Sequence, residues 1–222
     1  GWWFIFPKSK TRYYYDQENS GDPDLHRAPD KGLLTREERW LESESRYVAT
    51  DYAYDDVGNL IRVVNPNGAS KTIAYDQTAY RLYPVRTCIT ADDHTILCSE
   101  TNYYGINDAA CPDEGAFFGA ACRSFGPNGG ATAVQYTYDN FGRLHKTVRP
   151  GDTLYYPTVR YVYEDNYQYN GFRGVKITEI ARERSGVGDA VQKSRVFYDG
   201  LGRVVETLTR HANEDQQVLA YT

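Results

Sequence analysis

Four cysteines, four histidines and several close carboxylates are the residues of this 222-residue chain whose types could do chemistry. Their spacing does not assemble any familiar site. No Cys-x-x-Cys occurs and the histidines are scattered, which argues against zinc. Asp22, Asp24 and Asp30 hint at a calcium loop but lack the Asp-x-Asp-x-Asp-Gly run with a distal Glu, so a solvated loop is expected. Asp92-Asp93 and Asp113-Glu114 are adjacent, and adjacent side chains on a strand point to opposite faces, so neither makes an acid/base pair. No Ser or Cys has a recognisable His partner pattern, and no phosphate-binding or dinucleotide-binding glycine pattern is present. The expectation is a non-enzyme with no catalytic residue, no cofactor and no metal.

The cysteines have a different reading. Arg86 to Thr90 and Thr95 to Ser99 read as two strands flanking Ala91 to His94, which sets Cys88 roughly opposite Cys98. Four sulfurs allow three pairings; Cys88 with Cys98 and Cys111 with Cys122 is the expected one. Disulfides imply an oxidising, extracellular setting, and four buried free thiols are the alternative.

The elements that position everything else are turns. Tyr136 to Pro150 reads as one β-hairpin: Tyr and Thr alternate up to Tyr138, Asp139-Asn140-Phe141-Gly142 turns, and Arg143-Leu144 leads back out. Asp at a first corner bonds its own backbone two residues on, and Gly at the last corner accepts a positive φ. Tyr54-Asp55-Asp56-Val57-Gly58 and Tyr198-Asp199-Gly200-Leu201-Gly202-Arg203 repeat the pattern. Tyr75-Asp76 opens a degenerate copy with Tyr80 where Gly might stand. The aspartates are 21, 63 and 60 residues apart, near-multiples of a period of roughly 20, so the chain reads as a repeat protein. Opposite turns fall between them, at Asn65-Pro66-Asn67-Gly68, Gly126 to Gly129 and Pro150 to Asp152. Two alternating turn types joined by strands predict an all-β antiparallel meander.

Tyr-Asp-x-x-Gly-Arg-Leu at this period resembles the YD repeats of Rhs proteins, teneurins and the shell-forming B and C components of bacterial Tc toxins. Phe197 to Val204, with Tyr138 to Asp152 and Pro157 to Tyr161, is similar to the subgroup around SpvB-like and Tc-B-like proteins. The resemblance covers about Tyr47 to Thr209. It implies a β-sheet spiral closing into a hollow shell, and a chain that is one piece of something longer. Such shells often end in an autoproteolytic Asp-Pro-x-Gly-Leu-like segment; Asp22-Pro23-Asp24-Leu25 does not match it, so that activity is not expected here.

Two regions are expected: residues 1–46, with an N-terminal strand, polar loop and short helix, and residues 47–222, the hairpin repeats with a loop insertion at 106–121. Trp2 to Pro7 reads as a buried strand. Thr35-Arg36-Glu37-Glu38 fits a capping box, predicting a helix from about Arg36 to Ser43. The insertion, with Cys111 and Cys122 near its ends, reads as a surface loop stapled at its base, either a binding loop or a passive one. Tyr161, Tyr163, Tyr167 and Tyr169 fall on one face if the strand stays extended.

Tyr occurs 21 times, Met not at all, and the net charge is −5 with both signs interspersed. No Lys/Arg cluster offers a phosphate-binding surface, so nucleic acid is not an expected partner. No apolar run approaches the roughly 20 residues that span a membrane. Two functions remain: a non-catalytic segment of a secreted shell, partnered by the rest of that shell or by its own copies through open sheet edges, or an extracellular module that binds glycan or a cell-surface protein.

Overall fold

The computed structural model describes residues 9–16, 28–90, 95–169, 171–182, 191–210 and 218–221. Trp2 to Pro7, Asp22, Asp24 and Asp92-Asp93 lie outside them. Two compact units divide the chain, Gly1–Glu100 and Thr101–Thr222.

The first unit holds β1 (Thr11–Tyr15), β2 (Leu34–Leu41), β3 (Arg46–Tyr54), β4 (Leu60–Val64), β5 (Ser70–Tyr75), β6 (Pro84–Thr90) and the start of β7 (Ile96–Tyr103). Each strand pairs antiparallel with the next in sequence. The second unit holds β8 (Ala121–Phe125), β9 (Val134–Tyr138), β10 (Leu144–Val148), β11 (Val159–Tyr169), β12 (Phe172–Arg182), β13 (Val191–Asp199), β14 (Val204–Arg210) and β15 (Val218–Tyr221). These also pair antiparallel in chain order. The all-β hairpin meander read from the turns is the fold.

The helix expected from about Arg36 to Ser43 does not form. Leu34–Leu41 is β2, followed only by a single 3-10 turn at Glu42–Glu44. The capping-box pattern is a local signal, and two strand ladders override it. Arg36 to Arg39 pair with β1 on one side, while Arg36 to Leu41 pair with β3 on the other. Glu38, the expected capping residue, instead accepts the Tyr14 hydroxyl at 2.9 Å and Arg36 Nε at 3.0 Å. Trp40 meets the Tyr47 ring edge-on across the strands, centroids 5.0 Å apart.

Burial is sparse in the first unit. From Arg46 to Thr90, Asp76 alone is buried. In the second unit Tyr104, Cys122, Thr137, Val148, Thr178, Phe197 and Glu206 are buried. Several of these lie where residues 106–121 meet β9 and β10. Gly115 sits so close to Thr137 and Tyr138 that a Cβ there would come within 2.6 Å of Thr137. Its carbonyl accepts the Tyr138 amide at 2.8 Å, and Glu114 pairs with Lys146 at 2.5 Å. The middle of the insertion therefore lies down on the sheet, while Phe118 at its far end stays 71% exposed.

The four tyrosines of β11 do not share a face. Register is kept from Val159 to Glu164 and shifts before Tyr167, because Asp165 and Asn166 together oppose Val175. One extra residue inverts the alternation beyond it. Tyr161 and Tyr163 pair with Glu179 and Ile177, whereas Tyr167 pairs with Gly174 and so lies on the other face. There its ring receives Lys176 Nζ at 4.1 Å and packs on Phe197.

Candidate functional site

The repeated corner has one internal chemistry. In all three full copies the Asp amide donates to the carbonyl four residues on, Asn59, Arg143 or Arg203, each at 2.9 Å. The Gly amide returns to the Asp carbonyl at 3.2, 3.0 and 3.0 Å for Gly58, Gly142 and Gly202. One carboxylate oxygen then accepts two further amides: Val57 and Asn59 for Asp55, Phe141 and Arg143 for Asp139, Leu201 and Arg203 for Asp199. The other oxygen takes the side chain four residues on, Asn59 Nδ2 at 3.1 Å, Arg143 Nε at 2.7 Å and Arg203 Nε at 2.7 Å. The Arg of Asp-x-x-Gly-Arg is thus a clamp on the corner carboxylate. Gly142 has φ +76, and a Cβ on it would strike the Phe117 ring at 2.7 Å, so that corner excludes a side chain twice over.

These contacts set the carboxyl groups' acidity. Desolvation pushes Asp139 up, but the Arg143 amide and guanidinium and the Phe141 amide together hold it below the usual carboxylate range. Asp199 is lowered first by the Arg203 amide and then by its side chain. Asp55 and Asp76 are lowered as well, backbone amides outweighing desolvation.

The copy at Tyr75-Asp76 closes without glycine. Asp76 N donates to Tyr83 O at 2.9 Å, its carboxylate accepts the Thr78, Ala79 and Tyr83 amides, and Tyr80 and Arg81 take φ of +59 and +57. On the opposite edge Asn65 N donates to Ala69 O, with Asn67 Oδ1 accepting the Ala69 amide and Gly68 at φ +86.

Two corners go beyond the sequence reading: Tyr13-Tyr14-Tyr15-Asp16 reads there as the remnant of a further repeat with no Gly at the right place, and Tyr104 does not read as a corner at all. Asp16 N donates to Leu33 O at 2.8 Å, and its carboxylate accepts the amides of Asp30, Lys31, Gly32 and Leu33. Gly32, at φ +76, stands where Gly58 and Gly142 stand, so Tyr15-Asp16 opens a further corner split by an insertion, in which the Gly amide turns to the carboxylate. Tyr104 occupies the Asp position of another: its amide donates to Ala120 O and its carbonyl accepts from Gly119. Its hydroxyl lies 3.1 Å from Glu114 O and 3.0 Å from Tyr136 O, and burial pushes the phenol up to about 12. The Gly-Leu-Leu of 32–34 and the Gly-Ala-Ala of 119–121 were the available signals, displaced from their Tyr by the inserted residues.

The tyrosine before the corner has its own task. The Tyr54 hydroxyl donates to Leu34 O at 3.0 Å, and Tyr75 to Leu60 O at 3.4 Å. In the second unit Tyr138 donates to Ala121 O at 2.7 Å and Tyr163 to Leu144 O at 2.8 Å. Leu60 and Leu144 are the residues paired with Tyr54 and Tyr138 themselves. Each phenol therefore reaches back across its hairpin to the start of the previous return strand, forming a ladder. Cation–π contact supports it, with Arg143 4.2 Å from the Tyr163 ring centroid while also bound to Asp165.

The structure bonds Cys88 to Cys98, opposite one another in the β6–β7 register, and Cys111 to Cys122 across the insertion. Among the described residues no group of three or more His, Cys, Asp or Glu is arranged to hold a metal ion.

No family model and no curated protein matches this sequence. Among solved structures, a chain of the crystal structure of TcdB2-TccC3-Cdc42 aligns at TM-score 0.43 and 10% identity, over 86% of this chain and 11% of that one. The Photorhabdus luminescens Tc holotoxin pore, carrying a TccC3 point mutant, gives 0.44 and 10% over the same shares. TcdB2-TccC3-TEV gives 0.25 and 12%, over 90% of this chain and 12% of that one. The chain spans about a ninth of the length of the first two structures it aligns with.

Proposed function

We propose that this chain is a non-catalytic structural segment of a secreted hairpin-repeat scaffold, of the shell-forming type that its Tyr-Asp repeats resemble. The tyrosine ladder carries the reading. At Tyr54, Tyr75, Tyr138 and Tyr163 it adds a side-chain link to the preceding hairpin beside the backbone pairing, which helps a long wall keep one geometry over many repeats. Sparse burial supports it too: strands between Arg46 and Thr90 leave both faces half exposed, and a sheet gains independent stability when a face is covered. The partners are further hairpin repeats or other copies of this chain. Among the described residues β1 and β15 each pair on one side only, and open strand edges recruit strands. Two disulfides fit an oxidising compartment, hence secretion or the cell surface. No helix is long and apolar enough to cross a membrane among the described residues.

Light scattering over a concentration series tests the assembly. A mass that climbs with concentration and falls when charged residues are placed on β1 supports edge recruitment. A constant monomer mass rejects self-assembly through these edges.

A further inference from the structure

The bulge that turns Tyr167 over also opens a cleft of about 570 Å³ between the β11–β12 hairpin and the Tyr198–Gly202 corner. That volume is in the usual range of small-ligand sites, and bulges are over-represented beside such sites. Asp165 and Asn166, the bulged pair, line it on one side; Arg173, Tyr198 and Asp199 line the rest, over an apolar floor of Val175 and Ile177. The backbone has been brought in close: a Cβ on Gly174 would lie 1.8 Å from Tyr198 O. Gly200 and Gly202 have nothing within 4 Å at the same position, which keeps the mouth clear.

The charges in the cleft do not cancel. Asp165 is met by Arg143 Nη1 at 2.6 Å, and Asp199 by Arg203 Nε and Nη2, each at 2.7 Å, and by two backbone amides. Among the described residues Arg173 is met only by the neutral Gln168 amide, whose oxygen, in the orientation that suits both groups, lies 3.1 Å from Nε and 3.2 Å from Nη2. Among the described residues no partner reaches the Asn166 side chain, and its backbone is held at φ +66. A guanidinium without a carboxylate, an amide open to a ligand, one carboxylate, Asp165, with an oxygen to spare, and an apolar floor form a definite set. A carboxylated, polyhydroxylated ring satisfies all of it. Its carboxylate would lie along the guanidinium fork, a hydroxyl would donate to Asp165, and its C–H face would rest on Val175 and Ile177.

We propose that this cleft binds a terminal acidic sugar, a sialic or uronic acid, at the end of a glycan. The site does not depend on the scaffold reading, since a wall segment and a free module would present it alike.

The test is titration of the whole protein, followed by NMR or calorimetry, with four probes: the methyl glycosides of N-acetylneuraminic acid, glucuronic acid and glucose, and inorganic phosphate. At least one acidic sugar is expected to saturate the protein, with glucoside and phosphate weaker by about tenfold or more. Arg173→Gln is expected to cost about tenfold in that affinity while leaving the melting temperature unchanged. Asn166→Ala, at a solvent-facing side chain, is expected to weaken it severalfold and serves as a second variant if the first fails to fold. No saturable binding of either acidic sugar overturns the proposal. So does phosphate binding as tightly as the sugars, which would mark a simple anion site, or affinity unchanged in both variants.

Discussion

The Tyr138 hydroxyl ends 2.7 Å from the Ala121 carbonyl, seventeen positions back along the chain, and so fastens one hairpin to the strand that precedes it. The bond is part-buried, so losing it leaves a carbonyl poorly solvated. Tyr138→Phe is expected to lower unfolding free energy by about 1 kcal/mol. Tyr155→Phe, at a ring 81% exposed, is the control and should stay within about 0.5 kcal/mol of wild type. Urea midpoints measure both; equal midpoints would remove the ladder as a source of stability.

Gly142 and Gly202 share a backbone conformation, φ +76 and +78, but not a neighbourhood. At Gly202 a methyl group enters open space; at Gly142 it meets Phe117. Gly202→Ala therefore carries only the left-handed strain, about 1 kcal/mol, while Gly142→Ala should cost about 2 kcal/mol or more. Gly142→Val, β-branched, should cost more again. Combining Gly142→Ala with Phe117→Ala should recover part of the loss, a non-additivity that a double-mutant cycle reads directly.

The corner carboxylates make the fold acid-sensitive. Asp139 and Asp199 have folded values below their unfolded ones, so their stabilisation is present above the unfolded value, near pH 4, and is lost as pH falls through the lower folded value. Urea midpoints should fall between about pH 5 and pH 2, and the Asp139→Asn, Asp199→Asn double variant should start lower at pH 7 and fall less. Parallel pH profiles would show that the corners do not govern the acid limb.

Removing the Cys111–Cys122 bridge with paired Ala substitutions is expected to cost about 2–3 kcal/mol, the usual scale for a loop of this length. Limited proteolysis should then cut between Asn107 and Gly119 faster than in the oxidised protein. Unchanged cutting would mean that the Gly115–Tyr138 and Glu114–Lys146 contacts alone hold the insertion down.

Strand and corner alternation was legible in the sequence because both signals are local. Tyr-Thr alternation fixes a pleated strand, and an Asp followed by a Gly three residues on closes a turn by its own hydrogen bonds. The same locality produced the misreading at Thr35 to Glu38. A capping box and a strand use one set of residues there, and only the pairing of β2 on both sides decides between them. Tyr15-Asp16 could be read only as the remnant of a repeat, and Tyr104 not as a corner, for a related reason: insertions carry their glycines far down the chain, to Gly32 and Gly119, where no short pattern can connect them.

By itself, then, the amino-acid sequence determined that this chain folds as antiparallel hairpins, since side-chain period and corner chemistry are settled within a few residues. Tertiary structure alone decided which carbonyl each tyrosine reaches, that residues 106–121 lie against β9 and β10, and that one extra residue at Asp165-Asn166 inverts a strand and opens a cleft. Those outcomes depend on register between strands, and register is a relation between distant residues that no single stretch contains.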